Sequence, residues 1–278
     1  MKRKMQILST AALFILLCLG SINSFAQDTD RWFRRELGAT HTSVYDNGHS
    51  LARYQGTGVQ FLSGLDTDTR KNFRQLNVGL AYTPLKADVS DRKEVSAGTQ
   101  GTFTINYRFL HKLPRTQDEK FNVALGGASF LDANLRYYKK LINNPFGWDF
   151  NVGLNLIAQV SHDFNFRNHP YTLSYQLGVP VVTYNLSPNY LGSYPVSSAF
   201  NRGEVADWLS LGRTNIFMNE KYIYLHQQLS LERNLSNGNK LRITYRWDYS
   251  NNGYATHHYQ NLTTGISVGL LTSFSNNQ

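Results

Sequence analysis

Apolar and polar residues trade places at every second position through most of this chain. In Leu241-Arg242-Ile243-Thr244-Tyr245-Arg246-Trp247-Asp248-Tyr249, one face carries Leu, Ile, Tyr, Trp and Tyr. The other face carries Arg, Thr, Arg and Asp. Period two marks a β-strand, because successive side chains of a strand point to opposite sides. Ser236-Asn237-Gly238-Asn239 stands just before it and predicts a tight type I′ hairpin, since Asn-Gly tolerates the positive φ which that turn needs. The predicted partner strand, 222–235, sets Ile223, Leu225, Leu229 and Leu231 against His226, Gln228, Ser230 and Glu232.

The same alternation recurs upstream. Trp148, Phe150, Val152, Leu154 and Leu156 alternate with Asp149, Asn151, Gly153 and Asn155. Phe103, Ile105, Tyr107 and Phe109 alternate with Thr104, Asn106 and Arg108. Leu131, Ala133, Leu135 and Tyr137 face away from Asp132, Asn134 and Arg136. The pattern predicts strands over 35–45, 52–64, 74–83, 97–109, 121–129, 131–140, 148–162, 171–183, 207–217, 221–235, 240–249 and 261–274, twelve in all. Ten to fourteen also fit the pattern. No internal repeat or change of composition divides 27–278, which is expected to be one domain. The segment Asn185 to Arg202 is the one long irregular insert. With twelve strands it falls on the side of the chain termini, and a loop of that length is more often functional or packed than idle.

Two architectures hold such strands: a soluble sandwich with its apolar faces inward, and a transmembrane barrel with its apolar face in lipid. Three features favour the barrel. Several strands sustain alternation over the length that a tilted strand needs to cross a bilayer. Aromatic residues such as Trp148, Tyr107, Tyr249 and Phe274 sit at strand ends, as in the interfacial girdles of barrels. The polar faces hold Gly, Asn, Gln, Ser and mixed charge, where a water-exposed face would show Lys and Glu. The fold expected is therefore all-β: a transmembrane antiparallel up-and-down β-barrel of about twelve strands. A soluble periplasmic β-sandwich binding protein is the alternative architecture.

The first residues point to the same place. Lys2, Arg3 and Lys4 precede an apolar stretch from Ala11 to Gly20, and Ser24-Phe25-Ala26 follows with small residues at −3 and −1. That is the pattern of a cleaved secretory leader over 1–26. The apolar stretch is too short for a membrane anchor, and Leu17 before Cys18 argues against an acylated cysteine. The leader takes the only cysteine with it and lowers the net charge from +9 to +6. No disulfide, thiol nucleophile or cysteine metal site is then expected. A mean hydropathy of −0.40 leaves no room for a bundle of membrane helices. A 13% aromatic content is foreign to disorder.

A resemblance rests on the leader, the mature length, the closing hairpins, and Ser187-Pro188-Asn189-Tyr190-Leu191-Gly192-Ser193-Tyr194 after the Val179-Pro180 strand. Together these resemble an uncharacterised Gram-negative family of outer-membrane β-barrels, a domain-of-unknown-function family. The resemblance implies location in the outer membrane and a barrel fold, and it carries over no catalytic residue.

Candidate chemistry is sparse. Ser161, His162 and Asp163 end a long strand and His169 follows shortly, which admits an outer-membrane lipid hydrolase with a Ser/His site at the outer rim. Adjacent strand residues point apart, however, so Ser161 and His162 do not pair directly. His257-His258 lies in a predicted solvated loop. Asp66 and Asp68 open like a calcium loop but lack its central Gly and closing Glu, and read better as a polar turn. Arg108, Arg136, Arg242 and Arg246 are expected to face inward with Asp132, Asp149, Glu232 and Asp248. They would either line a small selective pore or pair off and fill the interior. The function expected is non-enzymatic, a small passive pore or a structural and interaction barrel. Membrane lipids are the expected partners, with a periplasmic or cell-surface protein as a further one. No cofactor, metal or nucleic acid is expected, since the basic residues are scattered.

Overall fold

The computed structural model describes residues 29–46, 52–87, 96–114, 120–139, 146–186, 213–218, 222–253 and 258–274. The expected leader and most of the 185–202 insert lie outside these residues, as does His257. The strands are β1 (Asp30–Asp46), β2 (Arg53–Asp68), β3 (Asn72–Ala87), β4 (Ser96–Lys112), β5 (Phe121–Tyr138), β6 (Phe146–Phe166), β7 (His169–Leu186), β8 (Arg213–Ile216), β9 (Tyr222–Asn234), β10 (Lys240–Gly253) and β11 (His258–Ser273). Each long strand pairs antiparallel with its neighbours in the order β6-β5-β4-β3-β2-β1-β11-β10-β9-β7, and β6 also pairs with β7. The sheet therefore closes on itself. The first and last strands zip from Trp32 opposite Ser273 to Asp46 opposite Tyr259. Closure pairs every long strand on both edges over most of its length, as a lipid surrounding requires. It also excludes the sandwich, which needs two stacked sheets.

Ten strands build the wall, two fewer than the favoured count and within the range that the pattern allowed. The predicted strands 121–129 and 131–140 are one strand, β5, paired with β6 without a break from Phe121 to Tyr137. The period fades in its middle because Ala124, Ala128 and Phe130 are apolar yet buried, while Gly127 and Ser129 sit on the outer face. Of predicted strand 207–217, only Arg213–Ile216 is a described strand. It caps the upper edge of β7 from Val182 to Asn185, above the point where the β7–β9 ladder stops at Gly178 opposite His226. Pro180 lacks a ladder donor, and the β6 register slips beside it between Leu154 and Asn155.

Merging those two strands reverses the direction of β6 and β7, and the loss of 207–217 from the wall restores the expected direction from β9 onward. β6 runs toward the end where the chain termini lie, so Ser161, His162 and Asp163 sit at the terminus end and not at the outer rim. β7 runs the other way, so the insert after Leu186 leaves from the far end, opposite to the expected side. The turn at Asn237-Gly238 also differs from type I′. Gly238 N–H donates to Leu235 O at 3.1 Å, and of the turn residues only Gly238 has positive φ, 78°. This is a type I turn closed by a glycine bulge. The two-residue turn with positive φ throughout is Arg167-Asn168, at 50° and 65°.

The wall sorts residues by parity. Leu37, Leu80, Leu135, Leu156, Ile266 and Val268 are exposed on the outer face at 53–68%. Arg34, Glu36, Asp66, Arg108, Arg136, Asp149 and Arg242 are buried inside. A continuous exposed apolar belt of this size has no place in water.

Candidate functional site: a charge-filled lumen

The eight expected lumen charges lie on the inward parity of their strands; Asp132 lines a cavity, and the other seven fall into three groups. Near the terminus end, Arg242 on β10 reaches Asp66 on β2 at 2.9 Å and Glu232 on β9 at 2.6 Å. Arg34 and Glu36 complete this group, with Arg34 3.4 Å from Glu36 and 3.7 Å from Asp66. Gln75 donates to Asp66 at 3.0 Å, and Ser267 donates to Glu36 at 2.7 Å. At the far end, Arg136 pairs with Asp149, lies 3.7 Å from Asp46, and donates to the Tyr259 hydroxyl at 2.9 Å. Asn134 donates to Asp149 at 2.8 Å.

The middle group spans the lumen. Arg108 on β4 donates to Gln176 on β7 at 2.9 Å and to Gln228 on β9 at 3.2 Å. It also meets His226 Nε2 at 3.2 Å. Arginine has no acceptor atom, so Nε2 accepts and Nδ1 carries the proton toward Asp248, its other partner. Arg246 lies 2.9 Å from Asp248 and donates to Gln60 at 3.2 Å. This bar separates two cavities. The one toward the terminus end holds about 420 Å³. The one toward the far end holds about 120 Å³ and is lined by Asp132, Arg246 and Asp248 among others. Arg108 and Gln228 line both.

Arginines fill these positions because a buried cation must be matched on several sides, and a planar guanidinium does so with its five donors. Arg34, Glu36 and His226 are functional neighbours beyond the eight charges expected. Asp66, read in sequence as part of a polar turn, is 1% exposed inside the barrel. Asp68 does lie beside the turn and pairs with Lys112.

The hydrolase candidates stay apart. Ser161 lines the larger cavity, whereas His162 points outward, stacks near Phe121 and Phe164, and bonds the Lys120 carbonyl at 2.7 Å. Asp163 accepts from Asn122 at 3.1 Å and Thr172 at 2.7 Å. His169 opens β7 at the turn, opposite Phe166. His258 opens β11 opposite Gly253. His226 has an orienting carboxylate, but its Nε2 is held by Arg108 where a nucleophile would have to stand. Among the described residues, no group of three His, Cys, Asp or Glu could hold a metal ion.

A closed ten-stranded antiparallel wall, apolar outside and charge-paired inside, defines a β-barrel of the membrane type. Residues 13–277 match the family model described as "Protein of unknown function (DUF3316)", and the chain belongs to that family. A search of curated proteins finds no match. Among solved structures, the chain is similar to the outer membrane protease OmpT from Escherichia coli, at 8% identity and TM-score 0.47, covering 91% of this chain and 99% of that one. It is also similar to the translocator domain of the autotransporter NalP from Neisseria meningitidis, at 8% identity and TM-score 0.34, covering 96% and 97%. An outer membrane channel from Pseudomonas putida F1 matches at 8% identity and TM-score 0.34, covering 91% and 98%.

Proposed function

We propose that this protein is a non-enzymatic outer-membrane barrel of a Gram-negative cell, delivered there by its cleaved leader, whose lumen is held shut by paired charges. It serves as a structural or interaction barrel, with membrane lipids as its constant partners. The observation that carries this reading is the Arg108 bar. One guanidinium joins β4 to β7 and β9 across the interior, and a cavity lies on either side of it. The charges at Arg136, Arg242, Arg246, Asp149, Glu232 and Asp248 hold one another and leave no ring of unmatched sign for a passing ion.

Planar bilayers test this directly. The unmodified protein should give no stepwise current, and Arg108→Ala should join the two cavities and produce steps. Regular steps from the unmodified protein would instead make it an open passive pore.

A further inference from the structure

The outer face of β1–β4 at the terminus end carries a pattern that neither barrel closure nor the lumen requires. Ladder pairing sets Arg31 opposite Thr67, Thr67 opposite Arg74, and Arg74 opposite Phe109. All four lie on the outward parity of their strands, forming one lateral row near the rim. Strands in a sheet are about 4.8 Å apart, so the two arginine backbones stand about 10 Å apart with a hydroxyl between them. The next outward row toward mid-barrel is wholly apolar: Phe33, Leu65, Leu76 and Tyr107. One row further in comes Arg35. Its guanidinium lies over the Phe33 ring at 4.8 Å, turned back along its stem toward the rim, as an arginine at a membrane interface does. Arg74 lies over Phe109 at 5.5 Å, and Phe274 packs beside Phe33 at 6.3 Å.

Charge sign completes the picture. Every Asp and Glu of the described strands occupies an inward-facing position, from Asp30 and Asp68 at the mouth to Asp149 at the far end. Among the described residues, the charges on the outer wall of this sector are therefore all cationic, above an apolar floor. Two arginines on strands either side of a threonine suit a phosphate diester, which accepts bidentate charge-assisted bonds. The apolar row beside it suits acyl chains.

We propose that this sector is a headgroup site for an anionic phospholipid of the leaflet on the terminus side. The phosphate sits between Arg31 and Arg74 over Thr67, and Arg35 supports it from the apolar side. The proposal rests on the membrane reading above and adds a specific lipid class to it.

The full-length protein, processed and inserted in phosphatidylcholine vesicles, would be probed with spin-labelled phosphatidylglycerol and spin-labelled phosphatidylcholine, reading the motionally restricted fraction of each. Each arginine near an anionic surface is worth about fivefold in association, so phosphatidylglycerol should be preferred roughly tenfold or more, and less as salt is raised. The Arg31→Ala/Arg74→Ala double variant should lose that preference. Arg53→Ala, an outward arginine at the far end that bonds Gln260, should keep it. Equal association of the two lipids, or a preference unchanged in the double variant, would overturn the site while leaving the inserted barrel intact. A preference abolished by soluble glycerophosphate at matched concentration would overturn the lipid as its occupant. A protein that restricts neither lipid and shows no heat-modifiable migration would overturn the membrane reading itself.

Discussion

Arg242 shows what one buried residue does here. It reaches Asp66, Glu232 and Glu36 from a position 4% exposed, so its removal leaves carboxylates buried without their counter-charge. Breaking such a pair typically costs about 3–5 kcal/mol. We expect Arg242→Ala to lower the urea midpoint of heat-modifiable migration far more than Arg246→Ala, whose side chain keeps 20% exposure and can be solvated from the cavity. Equal effects would contradict a matched core at the terminus end. Arg242 was legible in sequence because its strand alternates cleanly. Arg34 and Glu36 were not, because the outward row of β1 contains Arg31, Arg35 and His41 and so blurs the apolar face. Asp66 was hidden by its closeness to a real turn.

Strands were legible wherever the lipid face is apolar and the lumen face polar, as in β4, β6 and β10. They were illegible where the interior itself is apolar. Leu110, Ala124, Ala128 and Ile157 form a small buried cluster, and its members on β5 erased the alternation that would have shown one strand where two were expected. That miscount moved Ser161, His162, Asp163 and the long insert to the wrong ends. Turn chemistry was read from Asn-Gly, yet the type I′ geometry falls on Arg167-Asn168, where a residue other than glycine at positive φ costs roughly 1–2 kcal/mol. Asn168→Gly should therefore hold or raise the temperature at which heat-modifiable migration is lost, whereas Arg167→Val, with its β-branched side chain, should lower it. The reverse order would show that the turn is not held in that conformation.

The barrel as a whole joins two incompatible solvents through period two alone. Its wall presents Leu, Val, Ile, Phe and Tyr outward, and its interior matches arginines with carboxylates. A middling mean hydropathy is the average of those faces. The most direct measurement uses the absence of cysteine from residues 27–278. Single cysteines placed in turn from Leu241 to Tyr249, each carrying a fluorophore in reconstituted vesicles, are exposed to lipids bearing a nitroxide on the acyl chain. Quenching should alternate, strong at 241, 243, 245, 247 and 249 and weak at 242, 244, 246 and 248. Uniform weak quenching, or strong quenching at the even positions, would contradict a barrel whose apolar face meets lipid.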